Sequence, residues 1–240
     1  MPIAAINEVD LYYERHGDRG VPLVLVHGYT GDISDWRFQI AEFAPTHRVL
    51  VSDNRGHGQS PPPADASAYS IELMATDIEQ LAAALGFERY HLVGHSMGGA
   101  IAQEIALRGP DKLLSLTLHD TSYCFNHRPL EMPDRPPPLP AERLQQVATR
   151  FARMSPESLL GCFNALLAWH GTEKRAAQIC TPTLILCGAD DSPMIVDGSR
   201  RLAELIPGSE LCLIPATTHA PQEESPLQYN AALRRFLERG

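Results

Sequence analysis

Short apolar runs bounded by turn residues recur along the chain: Leu23–Val26, Val49–Val51, His91–Val93, Leu113–Leu118, Thr183–Cys187 and Leu211–Ile214. Each is apolar on both faces rather than alternating, which is the pattern of strands in a parallel sheet covered on both sides. The first residues differ: Ile3–Ile6 and Val9–Tyr13 flank Asn7-Glu8 and read as a hairpin. Between the runs the period lengthens. Met74, Ile78, Leu81 and Leu85 recur at helical spacing and share one face. Tyr229, Leu233, Phe236 and Leu237 do the same near the end, after Ser225-Pro226, a capping residue followed by proline in the first turn. Strands alternating with helices predict an α/β fold, a doubly wound, mostly parallel sheet with right-handed crossovers.

The alternation breaks once. From Thr121 to about Cys180 there is a proline-rich stretch (Pro129, Pro133, Pro136, Pro137, Pro138, Pro140), then amphipathic patterns over Ala141–Met154 and Pro156–Trp169. A structureless insertion this long is disfavoured in a compact domain. It reads as a small helical cap inserted after the sixth strand, over the strands' carboxyl ends, where open α/β sheets bind ligands. The expected organisation is one domain over 1–240, with a core of 1–120 and 181–240 and a cap at about 121–180.

Composition narrows the function classes. A net charge of -9 over 240 residues, with no basic run, argues against a nucleic-acid partner. No apolar run approaches the ~20 residues of a membrane span, and the first residues lack the charge and apolar core of a signal peptide. The five cysteines are odd in number and lack C-x-x-C spacing, which fits free thiols and a cytoplasmic protein. No metal-ligand spacing, P-loop or dinucleotide fingerprint is present, so no metal or cofactor is expected.

The chemistry centres on Gly94-His95-Ser96-Met97-Gly98-Gly99, between a strand run and the helical stretch Ala100–Arg108. G-x-S-x-G between a strand and a helix describes a nucleophile elbow, in which a strained turn lifts the serine hydroxyl to a helix N-terminus. Serine needs a base, and His219, after the last strand run, is the best placed of ten histidines. The imidazole needs a carboxylate. Asp190 and Asp191 follow the Thr183–Cys187 run, and Asp120 ends the Leu113–Leu118 run. The backbone N–H groups of Met97 and of Tyr29, in the loop His27-Gly28-Tyr29-Thr30-Gly31, are the expected oxyanion donors. His27 and His95 are expected to be structural, one behind the oxyanion loop and one under the elbow. Phe125, Met132, Phe163, Leu166 and Trp169 of the cap, with Tyr29, are expected to line a partly apolar substrate pocket.

These pieces, together with Asp53-Asn54-Arg55-Gly56-His57-Gly58-Gln59-Ser60, Gly188-Ala189-Asp190-Asp191 and Thr218-His219, resemble the α/β-hydrolase superfamily over essentially the whole chain. The resemblance implies that the acid lies three residues after the loop glycine, which selects Asp191. It implies that Asp53 and Arg55 buttress backbone, and that serine, not the aspartate of related dehalogenases and epoxide hydrolases, is the nucleophile. The chain looks most like the short-capped branch of esterases, enol-lactonases and carbon–carbon bond hydrolases. The expected activity is hydrolysis of a small-to-medium carboxylic ester or lactone by water, through an acyl-enzyme. An enol-lactone or β-diketone substrate is the alternative, with Arg128, Arg135, Arg143 and Arg153 as cations for an acidic lactone. A small-molecule receptor on the same fold is the alternative of another class. The sequence names neither substrate nor oligomeric state. One departure stands out: Thr218 occupies a position commonly glycine.

Overall fold

A computed structural model describes residues 2–63, 65–126 and 141–239. Eight strands form one sheet: β1 (Ile3–Ile6), β2 (Val9–His16), β3 (Pro22–Val26), β4 (Arg48–Ser52), β5 (Tyr90–His95), β6 (Leu113–His119), β7 (Thr183–Gly188) and β8 (Glu210–Ile214). Their spatial order is β1-β2-β4-β3-β5-β6-β7-β8. β1 and β2 are antiparallel, joined at Asn7 and Glu8, whose φ values of 47° and 66° make the two-residue turn that matches strand twist. From β3 to β8 every pairing is parallel.

The helices are α1 (Arg37–Phe43), α2 (Ile71–Ala84), α3 (Met97–Arg108), α4 (Ala141–Arg153), α5 (Pro156–Ala168), α6 (Pro193–Leu205), α7 (Pro221–Glu224) and α8 (Pro226–Leu237). Two cores result. Ile71, Met74, Ile78 and Leu81 of α2 join Ile101 and Ile105 of α3 and Leu202 of α6 on one face. Phe43 of α1 and Tyr229, Leu233 and Phe236 of α8 pack on the other. Sandwiching explains the unbroken apolar runs: all five residues of β3 and all six of β5 are buried. Pro226 stands in the first turn of α8, but the Ser225 hydroxyl makes no capping bond, contrary to the sequence expectation.

β3 has β4 on one side and β5 on the other, so the chain reverses direction across the sheet there. The crevice opens at the carboxyl ends of these two strands. The two helices α4 and α5 lie between β6 and β7 in sequence. Among the described residues, no helix is long and apolar enough to cross a membrane.

Candidate active site

β5 ends at His95 and α3 begins at Met97, so Ser96 alone makes the turn, with φ 52° and ψ -114°. Such a conformation costs about 1–3 kcal/mol and persists only where surrounding contacts impose it. Those contacts are present. Ser96 N–H donates to the His119 carbonyl at 3.0 Å, and the Ser96 carbonyl accepts from Gly99 N–H at 2.9 Å and from the Thr121 hydroxyl at 2.7 Å. The flanking glycines are required sterically. A Cβ on Gly94 would lie 2.3 Å from the Gly98 carbonyl oxygen, and one on Gly98 would lie 2.3 Å from that of Val26.

Loops after β7 and β8 bring two further groups to Ser96. β8 is three strands from β5, about 14 Å across the sheet, and the segment from Ile214 to His219 crosses that distance. His219 Nε2 lies 3.0 Å from Ser96 Oγ, and His219 Nδ1 lies 2.7 Å from Asp191 Oδ2. Asp191 Oδ1 accepts from Ser192 N–H at 2.6 Å, so both its oxygens are occupied. Asp190 is exposed, and its N–H donates to the Thr217 carbonyl at 2.9 Å. Asp120 is buried and partners Gly188 N–H and His119. Of the three candidate carboxylates, Asp191 is the one that meets the imidazole. Its side chain is only 6% exposed, against 39% for His219, so water reaches the imidazole while the carboxylate is shielded.

Thr218, the departure from the common glycine, takes a defined place. Its N–H and hydroxyl donate to the two carboxylate oxygens of Glu224, at 2.5 and 2.6 Å, which ties the His219 loop to α7.

The loop after β3 approaches from the other side, where a Cβ on Gly28 would lie 3.0 Å from Ser96 Cβ. His27 Nε2 accepts from Asn54 N–H at 2.9 Å, which leaves Nδ1–H to donate to the Gly28 carbonyl at 2.8 Å. Gly31 N–H closes the turn on the same carbonyl at 3.1 Å. Met97 is the first residue of α3, so its N–H has no acceptor within the helix and points with the helix dipole toward the crevice. His95 Nε2–H donates to the His219 carbonyl at 2.8 Å, and its ring stacks on His119 with centroids 4.4 Å apart. Burial holds both rings well below the ordinary histidine range, and burial pushes His57 down to about 3. Asp53 accepts from Ile33 N–H at 2.9 Å and Gln59 N–H at 2.7 Å, and Arg55 grips buried Asp77 through two nitrogens at 2.6 and 2.7 Å.

The cap-derived residues scatter. Phe163 is 48% exposed and its ring centroid lies 6.4 Å from that of Tyr29. Leu166 is buried in the larger core. Trp169 requires a correction. Its indole N–H donates to Glu104 at 2.8 Å, and Glu104 lies eight residues beyond Ser96, about 12 Å down α3. The ring therefore ties the end of α5 to α3 instead of facing the crevice. Phe125 follows it, with ring centroids 6.1 Å apart. Met132, Arg128 and Arg135 lie outside the described residues. Arg153 is paired with Asp32 at 2.9 Å and so is not a free cation.

Two features went unread in the sequence. Phe151 of α4 packs edge-on against Tyr29 at 6.0 Å, and Val147, Phe151 and Met154 carried the signal in their helical spacing. Arg150 reaches both Asp35 and Glu223 at 2.8 Å, fastening α4 to the segment after the oxyanion loop and to α7. Neither carboxylate belongs to a motif.

Among the described residues, one group of three potential metal ligands comes together, Asp120, Cys187 and Asp191. Asp191 is already engaged by His219, and burial pushes the Cys187 thiol up, away from the thiolate a metal needs. This donor set suits hydrogen bonding better than coordination.

Residues 21–167 match the family model described as the alpha/beta hydrolase fold. A curated protein called "Putative carbamate hydrolase RutD", from Azorhizobium caulinodans, is 32% identical over 263 aligned residues, which span 98% of each chain. The solved structure "Est816 as an N-Acyl homoserine lactone degrading enzyme" is 29% identical, with a TM-score of 0.83, covering 98% of this chain and 100% of that one. The enol-lactonase of Burkholderia xenovorans LB400 shares the fold at 23% identity and a TM-score of 0.84, covering 99% and 100%. With the model matched over more than half its length and a curated relative aligned end to end, the chain belongs to the alpha/beta hydrolase fold family.

Proposed function

We propose that this hydrolase cleaves a small-to-medium carboxylic ester or lactone through an acyl-enzyme on Ser96. The observation that carries the proposal is the unbroken hydrogen-bonded line Asp191–His219–Ser96, at 2.7 and 3.0 Å, at the start of α3. Ser96 Oγ attacks the acyl carbon while His219 Nε2 takes its proton, and Asp191 holds Nδ1–H and balances the imidazolium. The N–H groups of Met97 and Tyr29 receive the oxyanion. His219 then returns the proton to the leaving group, and water entering beside its exposed ring is activated by the same nitrogen to release the acid. Helices α4 and α5 serve as the cap. Phe163 and Phe151, flanking Tyr29, give the entrance an apolar wall that suits an uncharged acyl or alkyl group. The five cysteines form no disulfide, and three of them are buried, which fits a reducing cytoplasm.

A second reading has its own support. Seven of the curated relatives, across several bacteria, carry carbamate hydrolysis in their names. A carbamate presents the same trigonal acyl carbon to Ser96, and the machinery is unchanged.

Labelling by a fluorophosphonate tests the nucleophile. Wild-type protein gains the adduct mass on Ser96, and S96A gains none and loses at least ~10³-fold in p-nitrophenyl acetate turnover. Turnover by S96A at the wild-type rate would overturn the proposal. A panel of simple ester, acyl-homoserine lactone, enol-lactone, carbamate and β-diketone then ranks the substrate classes by kcat/KM.

A further inference from the structure

Behind the Asp191–His219 pair stands a second acid–imidazole pair, which the hydrolytic steps leave unused. Asp120 follows β6, between the strand that carries Ser96 and the strand that precedes Asp191. It adopts φ 44°, uncommon for a residue other than glycine, and is fully buried. Gly188 N–H donates to its Oδ1 at 2.9 Å, and His119 Nδ1 lies 3.0 Å from Oδ2. One carboxyl oxygen of Asp120, the Cys187 sulfur and one carboxyl oxygen of Asp191 all lie within 4.8 Å of one another.

Two carboxylates this close oppose each other's ionisation unless a cation stands between them. The titratable groups around Asp120 supply none. They are His119 on β6, Cys187 on β7, Asp191 after β7 and Tyr229 on α8, with His95 of β5 stacked on His119 and His219 beyond. Its one ion-pair candidate among the described residues is His119, whose buried ring stays neutral. Burial likewise keeps Cys187 and Tyr229 protonated. Asp191 has the better claim to the charge, because it accepts from His219 Nδ1 and Ser192 N–H at 2.7 and 2.6 Å. Burial first, and then the charge of Asp191, push the Asp120 carboxyl well above the usual carboxylate range.

Given the roles proposed above for Ser96, His219 and Asp191, we infer that Asp120 is a positioning residue: it keeps its proton and donates it to Asp191, holding that carboxylate against His219 Nδ1. Asp120 touches neither substrate nor the reacting atoms. Its Oδ1 is spanned by Gly188 N–H, which anchors the donor to the strand that launches the Asp191 loop. Asp191 remains the single anion of the cluster, aimed by a neutral neighbour.

The test uses the full chain, with D120N and D120A beside wild type and kcat/KM followed from about pH 5 to 9. Asn keeps the shape, offers an N–H where the carboxyl has O–H, and accepts from Gly188 as before. D120N is expected to keep kcat/KM within about threefold with the acid limb of the profile in place, whereas D120A loses tenfold or more, in kcat, as Asp191 loosens. The wild-type-minus-D120N infrared difference at neutral pH is expected to show the carbonyl stretch of a protonated carboxyl. Absence of that band, or an acid limb displaced by half a pH unit or more in D120N, overturns the assignment by marking Asp120 as a carboxylate. D120A with wild-type kcat overturns the positioning role. The band and the D120N profile decide the matter even where D120A does not fold. S96A separates the two layers: it abolishes turnover if the nucleophile is right and leaves the infrared band untouched.

Discussion

Replacing Asp35 by asparagine should stabilise the protein at neutral pH and do little near pH 4. Asp35 sits just after the oxyanion loop with its side chain 5% exposed, and one of its oxygens pairs with Arg150 at 2.8 Å. The other oxygen is buried without a partner among the described residues. Burial therefore outweighs the attraction of Arg150 and raises the carboxyl from 3.8 to about 6. A raised acid binds its proton more tightly folded than unfolded. The stability linked to that proton is complete below the unfolded value of 3.8 and is lost as pH rises through about 6. At about 1.4 kcal/mol for each pH unit between those values, ionised Asp35 costs the native state about 3 kcal/mol at pH 7, with little solvent screening to discount. Asparagine pays no such penalty, and at pH 4 protonated Asp35 is nearly equivalent to it. Urea unfolding of wild type and D35N at both pH values measures the difference. D35N should gain about 2.5 kcal/mol relative to wild type between pH 4 and pH 7. An unchanged difference, or one of opposite sign, would show that the Arg150 pair repays the desolvation of Asp35 and would refute the reasoning. The charge has a structural return, since Arg150 ties α4 to both Asp35 and Glu223. Amide exchange in α4 should accordingly be faster in D35N.

W169F removes the indole donor to buried Glu104 and should cost about 1.5–3 kcal/mol in unfolding free energy, while kcat/KM for p-nitrophenyl acetate stays within twofold; a large rise in KM would return Trp169 to the substrate pocket. F151A opens the apolar wall beside Tyr29 and should raise KM for a longer acyl ester by about tenfold, leaving the acetate ester nearly unaffected. G98A places a Cβ 2.3 Å from the Val26 carbonyl oxygen and 2.7 Å from that of His27, both of them backbone. Fluorophosphonate labelling of G98A should fall by about 10² or more through displacement of Ser96, and wild-type labelling would contradict the steric account.

The strands were legible because a sheet covered on both faces needs unbroken apolar runs, and β3, β5 and β7 are buried at every position. The elbow was legible because its turn is local: a Cβ on Gly94 would strike the backbone of Gly98 four residues on, although the clash at Gly98 comes from Val26 at the end of the adjoining strand. Ser96, Asp191 and His219 could be named because each follows a recognisable strand or turn, although nothing in the sequence set their separations. Helices α1 and α6 were not singled out, the first being only seven residues long.

What the sequence by itself determined is therefore what depends on neighbours along the chain: periodicity, turn chemistry and the order in which strands launch their loops. Tertiary structure decided which of three carboxylates meets His219, turned Trp169 toward Glu104, and set Arg150 between Asp35 and Glu223. It also brought Asp120 and Asp191 together, 71 residues apart in sequence. These outcomes rest on electrostatic and packing contacts between segments far apart in sequence, whose energies depend on burial and distance, and both exist only once the sheet has placed its loops side by side.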